Sequence, residues 1–213
     1  MDDFPSARIS CVTAIEALLH DNFKTLYFCE HFMNSHDTTL EQWRAQEAAQ
    51  IARWQAAGST VGVATAAQIQ GMSGLQVFEA MLAGQLPRAP IGQTLDFNLM
   101  EARLGEAVFQ GQPKASHINP MGTIHGGWYC TLLDSALGCA VHTSLPAGRA
   151  YTTLELKVNL VRALTLKVPL VRAIGKVIHA GNQVATAEAS LVGHDGKLYA
   201  HATTTCLIFD QRT

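Results

Sequence analysis

Charge is scarce in this 213-residue chain: Asp, Glu, Lys and Arg together make 15% of it, and the net charge is −2. With no basic excess, composition gives no reason to expect nucleic acid as a partner. No apolar run reaches the roughly 18 residues that a membrane span needs. The N-terminus carries Asp2 and Asp3 instead of a basic segment, so neither a membrane anchor nor a secretory leader is expected. The five cysteines (Cys11, Cys29, Cys130, Cys139, Cys206) are odd in number and form no CxxC pair, which fits free thiols in a reducing, cytoplasmic setting. Nine histidines include no HxxxH spacing, so no metal and no cofactor are expected. A GxSxG elbow is missing too, which argues against the serine-hydrolase route. Internal repeats and low-complexity segments are absent.

Hydrophobic residues are plentiful, at 48%. That is enough for one good core, and the length suits one domain with an extension. Residues 1–37 are the least readable; Ile15, Leu18 and Leu19 share one face of a possible short helix. From Thr38, paired with Glu41 as a capping box, a helix is expected to run to Gly58, with Leu40, Trp43, Ala48, Ile51 and Trp54 as its buried stripe. Residues 59–71 read as a linker. Ser73 and Gln76 then open a short helix with Leu75, Phe78 and Leu82 on one face and Gly84 at its end. The expected division is therefore a partly helical extension over 1–72 and a main domain over 73–213.

Past Pro87 and Pro90 the period changes from helical to two. Residues 94–99 and 105–110 form an expected hairpin joined at Gly105. After one long helix ending near His142, strands are expected over 151–161, 168–178, 183–193 and 198–209. Gly181-Asn182 and His194-Asp195-Gly196 supply two of the turns. Five or six mostly hairpin-linked strands around one apolar helix make an α+β domain, an antiparallel sheet wrapped around the helix. One helix cannot cover both faces of such a sheet, so a homo-oligomer is expected.

The chemistry concentrates in residues 119–140, NPMGTIHGGWYCTLLDSALGCA. A Pro/Gly-rich loop leads into Gly126-Gly127 at a helix start, where backbone N–H groups stand bare and the helix dipole is positive. Asp134 follows two turns later among leucines and alanines, where a carboxylate is costly unless paired or used. A site for an oxyanion with an acid, base or nucleophile beside it follows from that pattern.

The run from Asn119 to Gly127, with Asp134 at its fixed distance and a Thr opening the next strand, resembles the hotdog-fold thioesterases of the PaaI-like, phenylacetate-pathway type. The resemblance covers residues 73–209 and leaves 1–72 as an extension of unassigned role. It implies hydrolysis of an acyl-CoA thioester at a site shared between two subunits of a homodimer that pairs into a homotetramer. Carried over position by position, the Gly126 amide binds the forming oxyanion, and Asn119 positions the attacking water or the carbonyl. His125 orients the loop or the substrate. Asp134 is general base or nucleophile, and Thr153 holds the water, with Thr152 as the other candidate. Gly127 and Met121 line the substrate, with Trp128 and Leu137 near it. Gly126 and Asp134 stand about 12 Å apart along one helix at 1.5 Å per residue. The glycine of one subunit is therefore expected to work with the acid of its neighbour.

Two other readings remain at this point. A non-catalytic acyl-CoA-binding module would use residues 1–72 as its output element, although the 38–57 helix has too few basic residues to read DNA. A hotdog hydratase or dehydratase would need an Asp/His pair on another loop, and this sequence does not offer one.

Overall fold

The structure, a computed structural model, describes residues 38–211, and Leu40–Thr213 forms one compact unit. The helix expected around Ile15–Leu19 lies outside the described residues, as do Cys11 and Cys29. Among the described residues no helix is long and apolar enough to cross a membrane.

Six strands form a single antiparallel sheet in the order β1-β2-β4-β5-β6-β3. They are β1 Phe97–Arg103, β2 Glu106–Gly111, β3 Arg149–Leu160, β4 Val171–Ala180, β5 Val184–Gly193 and β6 Leu198–Asp210. One long helix, α5 Gly126–Thr143, runs across the concave face, as the hotdog architecture requires. Its sheet side is Leu132, Leu133, Ala136, Leu137, Ala140 and Val141, all at 0% exposure. Facing them the sheet supplies mostly small residues, Ala173, Ala185, Ala187 and Ala200 among them, so helix and sheet approach closely. Gly175 shows the limit of that approach: a Cβ there meets the Ala136 carbonyl oxygen at 2.3 Å. Gly175→Ala is accordingly expected to cost about 1–3 kcal/mol or more, because backbone must move; a urea-unfolding midpoint at or above the wild-type value refutes this.

The hairpin β1–β2 turns at Leu104-Gly105, and α3 Gly74–Leu82 begins with the capping box of Ser73 and Gln76. The stretch 59–71 is not a bare linker. It contains α2 Ala66–Ile69, itself boxed by Thr65 and Gln68, and Val61 bridges to Arg88. A short α4, Pro90–Thr94, precedes β1.

Helix α1 occupies residues 38–56, and Gly58, at φ +65°, ends it as expected. Its start, where Thr38 and Glu41 are expected to form a capping box, adjoins residues outside those described, and its face differs from expectation. The inward stripe is Trp43, Glu47, Gln50 and Trp54, while Ala48 and Ile51 face solvent. The reason is polar. The sheet's outer face presents buried Gln110 and Arg172, and both need partners. Glu47 Oε2 accepts from Gln110 at 3.1 Å, and Gln46 accepts from Arg172 at 2.6 Å. The Trp43 ring lies 4.5 Å from the Arg172 guanidinium. At the other end, Gln50 and Trp54 donate to the Leu82 and Met81 carbonyls of α3.

Candidate functional site

Three groups of residues carry the expected chemistry. The first is the loop before α5. Asn119 Oδ1 accepts from the Met121 and Thr123 amides at 2.9 and 3.2 Å, and its Nδ2 donates to Thr123 Oγ1 at 2.9 Å. Most of the Asn119 carboxamide is thus engaged in shaping its own loop, with one N–H left over. Met121, at the loop tip, is 88% exposed.

The second group is the helix start. His125 is the N-cap, and its Nδ1 accepts the Gly127 N–H at 2.9 Å. That leaves the Gly126 N–H without a partner among the described residues. A Cβ on Gly126 comes within 3.0 Å of Leu160 Cδ1, so any larger residue crowds the ground above that amide. The loop is tied down from behind by His117, whose carbonyl accepts the His125 N–H at 2.8 Å. The His117 ring stacks on Trp128, and its Nε2 lies 3.3 Å from Asp96. Burial pushes the His117 pKa down, with Asp96 pulling the other way. Its Nδ1 accepts the Lys114 N–H, so the neutral ring carries its proton on Nε2, toward Asp96.

The third group lies two turns along α5. Asp134 is half-buried, and Thr153 Oγ1 donates to its Oδ1 at 3.2 Å. A bulge decides which threonine arrives there. The β3–β6 register shifts between Thr153 and Glu155. Tyr151 and Thr153 therefore point to the helix before the bulge, and Leu156 and Val158 after it. Thr152 is exposed, as is Leu154, at 60%.

The neighbours of Asp134 are protonated. Burial, and secondarily the Asp134 charge, pushes the Cys139 thiol up to about 12. Burial also raises Cys130, Cys206 and the Tyr151 phenol. A thiol held protonated is a poor nucleophile. Trp128 and Leu137 are core residues, at 3% and 0% exposure, and do not line the site.

The structure thus joins Thr153 to Asp134 and His125 to Gly127, and keeps these pairs about two helical turns apart. His117 and Asp96 had no signal in the sequence. They lie in segments about twenty residues apart and meet directly, His117 Nε2 at 3.3 Å from Asp96.

The model of the thioesterase superfamily matches residues 121–200. Among solved structures, the TT0310 protein from Thermus thermophilus is 30% identical, with a TM-score of 0.51 over 56% of this chain and 97% of its own. A variant of the phenylacetic acid degradation protein PaaI from the same organism is 29% identical, with a TM-score of 0.50 over 55% of this chain and 97% of that one. A phenylacetic acid degradation-related protein from Ralstonia eutropha is 27% identical, with a TM-score of 0.56 over 61% and 98%. None of the curated proteins matches the chain.

Proposed function

This chain belongs to the thioesterase superfamily, with the hotdog fold and PaaI-like relatives, and from that premise we propose that it hydrolyses an acyl-CoA thioester to free acid and CoA. The observation that carries the reading is the Thr153–Asp134 hydrogen bond on the helix whose first amide, that of Gly126, has no partner among the described residues.

Thioester hydrolysis needs a stabilised oxyanion and an activated water. Thr153 occupies Asp134 Oδ1, and Oδ2 is the atom offered to the attacking water. Oδ2 takes a proton as the water oxygen bonds to the carbonyl carbon. The carbonyl oxygen gains the charge and is held by a Gly126 N–H, aided by the helix dipole. Collapse of the tetrahedral intermediate breaks the C–S bond, the CoA thiolate leaves with little need of a general acid, and the proton on Asp134 passes to the thiolate or to solvent, which restores the carboxylate. His125 fixes the Gly127 amide and thereby the first turn. Asn119 keeps the loop's shape and has one N–H left to offer the substrate.

The oxyanion donor and the base belong to different subunits in this proposal. Eight residues of helix separate Gly126 from Asp134, about 12 Å, which is too far for one carbonyl group. Strand β3 lies at an edge of the sheet, is 12 residues long, and exposes Leu154 at 60% and Leu160 at 53%. An edge of this length with exposed leucines asks for a partner strand. Pairing of two β3 edges makes the homodimer, and dimers pair into a homotetramer.

Thiol release by the full-length protein over a panel of acyl-CoAs tests the activity. Tight acyl-CoA binding without release across the panel points instead to a binding module. For Thr153 the expected result is a kcat lower by about ten- to a hundredfold in Thr153→Ala, through loss of positioning. Thr153→Ser, which retains the hydroxyl, should recover most of it. Equal rates in all three proteins rule out this role for the hydroxyl.

A further inference from the structure

A cavity of about 340 Å³ lies between α1, α3 and α4 on one side and β1 and α5 on the other. Trp54, Phe78, Phe97, Leu99 and Phe109 give it apolar walls, and Ser135 and Cys139 line it from α5. The helix side adjoins the carboxylate described above: Ser135 follows Asp134 directly, and Cys139 is near enough to feel its charge.

Two charged residues interrupt the apolar lining. Asp96 is neutralised by an ion pair with Lys114, and the neutral His117 ring lies beside it. Arg88 has no such partner. Its guanidinium lies 4.6 Å over the Trp54 ring, it forms no ion pair among the described residues, and its Nε is buried without a hydrogen-bond partner. A buried donor left unpaired costs stability, and a cation on the wall of an apolar cavity favours an anion inside it. The arrangement is a hydrophobic chamber with one cationic anchor, Arg88, on the wall it shares with Trp54.

We propose that this cavity receives the acyl group, and that Arg88 selects acyl groups whose far end carries an oxygen acceptor, a carboxylate above all. The assignment rests on the thioesterase reading and narrows its substrate class. Size agrees with it. An apolar cavity of about 150 Å³ holds a benzene molecule, so this one has room for an alkyl or aryl body of about twice that bulk. The thioester carbon stays on the α5 side, beside Asp134, while the distal oxygen meets the guanidinium under Trp54. Because Trp54 belongs to α1, residues ahead of the hotdog domain complete the chamber.

The test compares octanoyl-CoA with octanedioyl-CoA, a matched pair differing in a terminal carboxylate. Wild type should favour the dioyl thioester in kcat/KM by about tenfold or more, the discrimination that a charge-assisted hydrogen bond supplies. Arg88→Met should bring the kcat/KM ratio of the pair to about one, and Arg88→Lys should keep part of the preference. Equal rates on the pair in wild type overturn the proposal and leave the thioesterase reading intact. An equal loss on both thioesters in Arg88→Met does the same, since it puts Arg88 on the shared CoA portion. If no thioester releases thiol, the activity fails and binding decides the cavity. Calorimetric titration with free octanedioate and octanoate should then show tighter octanedioate binding in wild type, and no difference in Arg88→Met. Equal or absent binding of both acids overturns the assignment. Should Arg88→Met fail the circular-dichroism check for folding, Arg88→Gln takes its place, with the same outcomes.

Discussion

Asp134→Asn should lower thiol release by about 10²–10⁴-fold, the usual contribution of a positioned general base, while the protein remains folded and oligomeric. The substitution suits the geometry. Asparagine keeps an oxygen where Asp134 Oδ1 accepts from Thr153 Oγ1 at 3.2 Å, so the hydrogen bond to β3 survives. What goes is the charge on the second oxygen, and with it the capacity to take a proton from water. No ion pair is broken, because Asp134 has no cationic partner among the described residues. Its neighbours Cys130, Cys139, Cys206 and Tyr151 are all held neutral by burial. Removing an isolated negative charge from such surroundings should leave stability unchanged or raise it. Activity and stability are therefore expected to part company in this variant. Initial rates by a free-thiol assay and thermal unfolding by circular dichroism measure the two separately. A rate within a few-fold of wild type, from a variant with an unchanged melting curve, removes Asp134 from the mechanism.

The parts of this molecule that the sequence announced are those whose determinants are local. Ser73 with Gln76 starts α3, the Leu104-Gly105 turn closes the first hairpin, and the apolar pattern of α5 runs nearly to its end at Thr143. In α1 the same logic chose the wrong face. Hydrophobic periodicity favoured Ala48 and Ile51, but the helix buries Glu47 and Gln50, because the groups it must satisfy lie far away in the chain. Gln110 is 63 positions from Glu47, and Arg172 is 126 positions from Gln46. No local window holds that information. The site divides in the same way. The spacing of Asn119, Gly126 and Asp134 is visible in one short stretch. The choice between Thr152 and Thr153 depends on a bulge in β3 that strict alternation of two cannot express. The cavity is still less legible, since Trp54, Arg88, Phe97 and Cys139 come from four separate segments.

Mixing two inactive proteins should restore activity if each site takes its oxyanion donor and its base from different subunits. Asp134→Asn lacks the base. Gly126→Val lacks access to the amide, because even a Cβ at that position comes within 3.0 Å of Leu160 Cδ1 and a branched side chain covers the ground the thioester must occupy. Gly126 is the first residue of α5 and is half-exposed, so the substitution disturbs the mouth of the site and spares the core beneath the helix. Each variant alone should be nearly dead. In a mixed dimer, Gly126 of the first variant faces Asp134 of the second, and one of the two sites is whole. Random reassociation makes about half of the dimers mixed, each with one good site, so about a quarter of wild-type activity should return. The subunits must first be separated, by mild denaturant followed by joint refolding; each variant refolded alone is the control. The opposite arrangement, with Gly126 and Asp134 of one chain serving the same carbonyl, predicts no recovery at any mixing ratio. A variant that places a charge on the exposed side of β3, Leu154→Asp, should remove activity together with dimerisation, since a carboxylate resists burial at a subunit seam. A monomer that still hydrolyses thioesters, or co-refolded variants that stay dead, places the whole site in one chain and makes the 12-residue edge strand a matter of assembly alone.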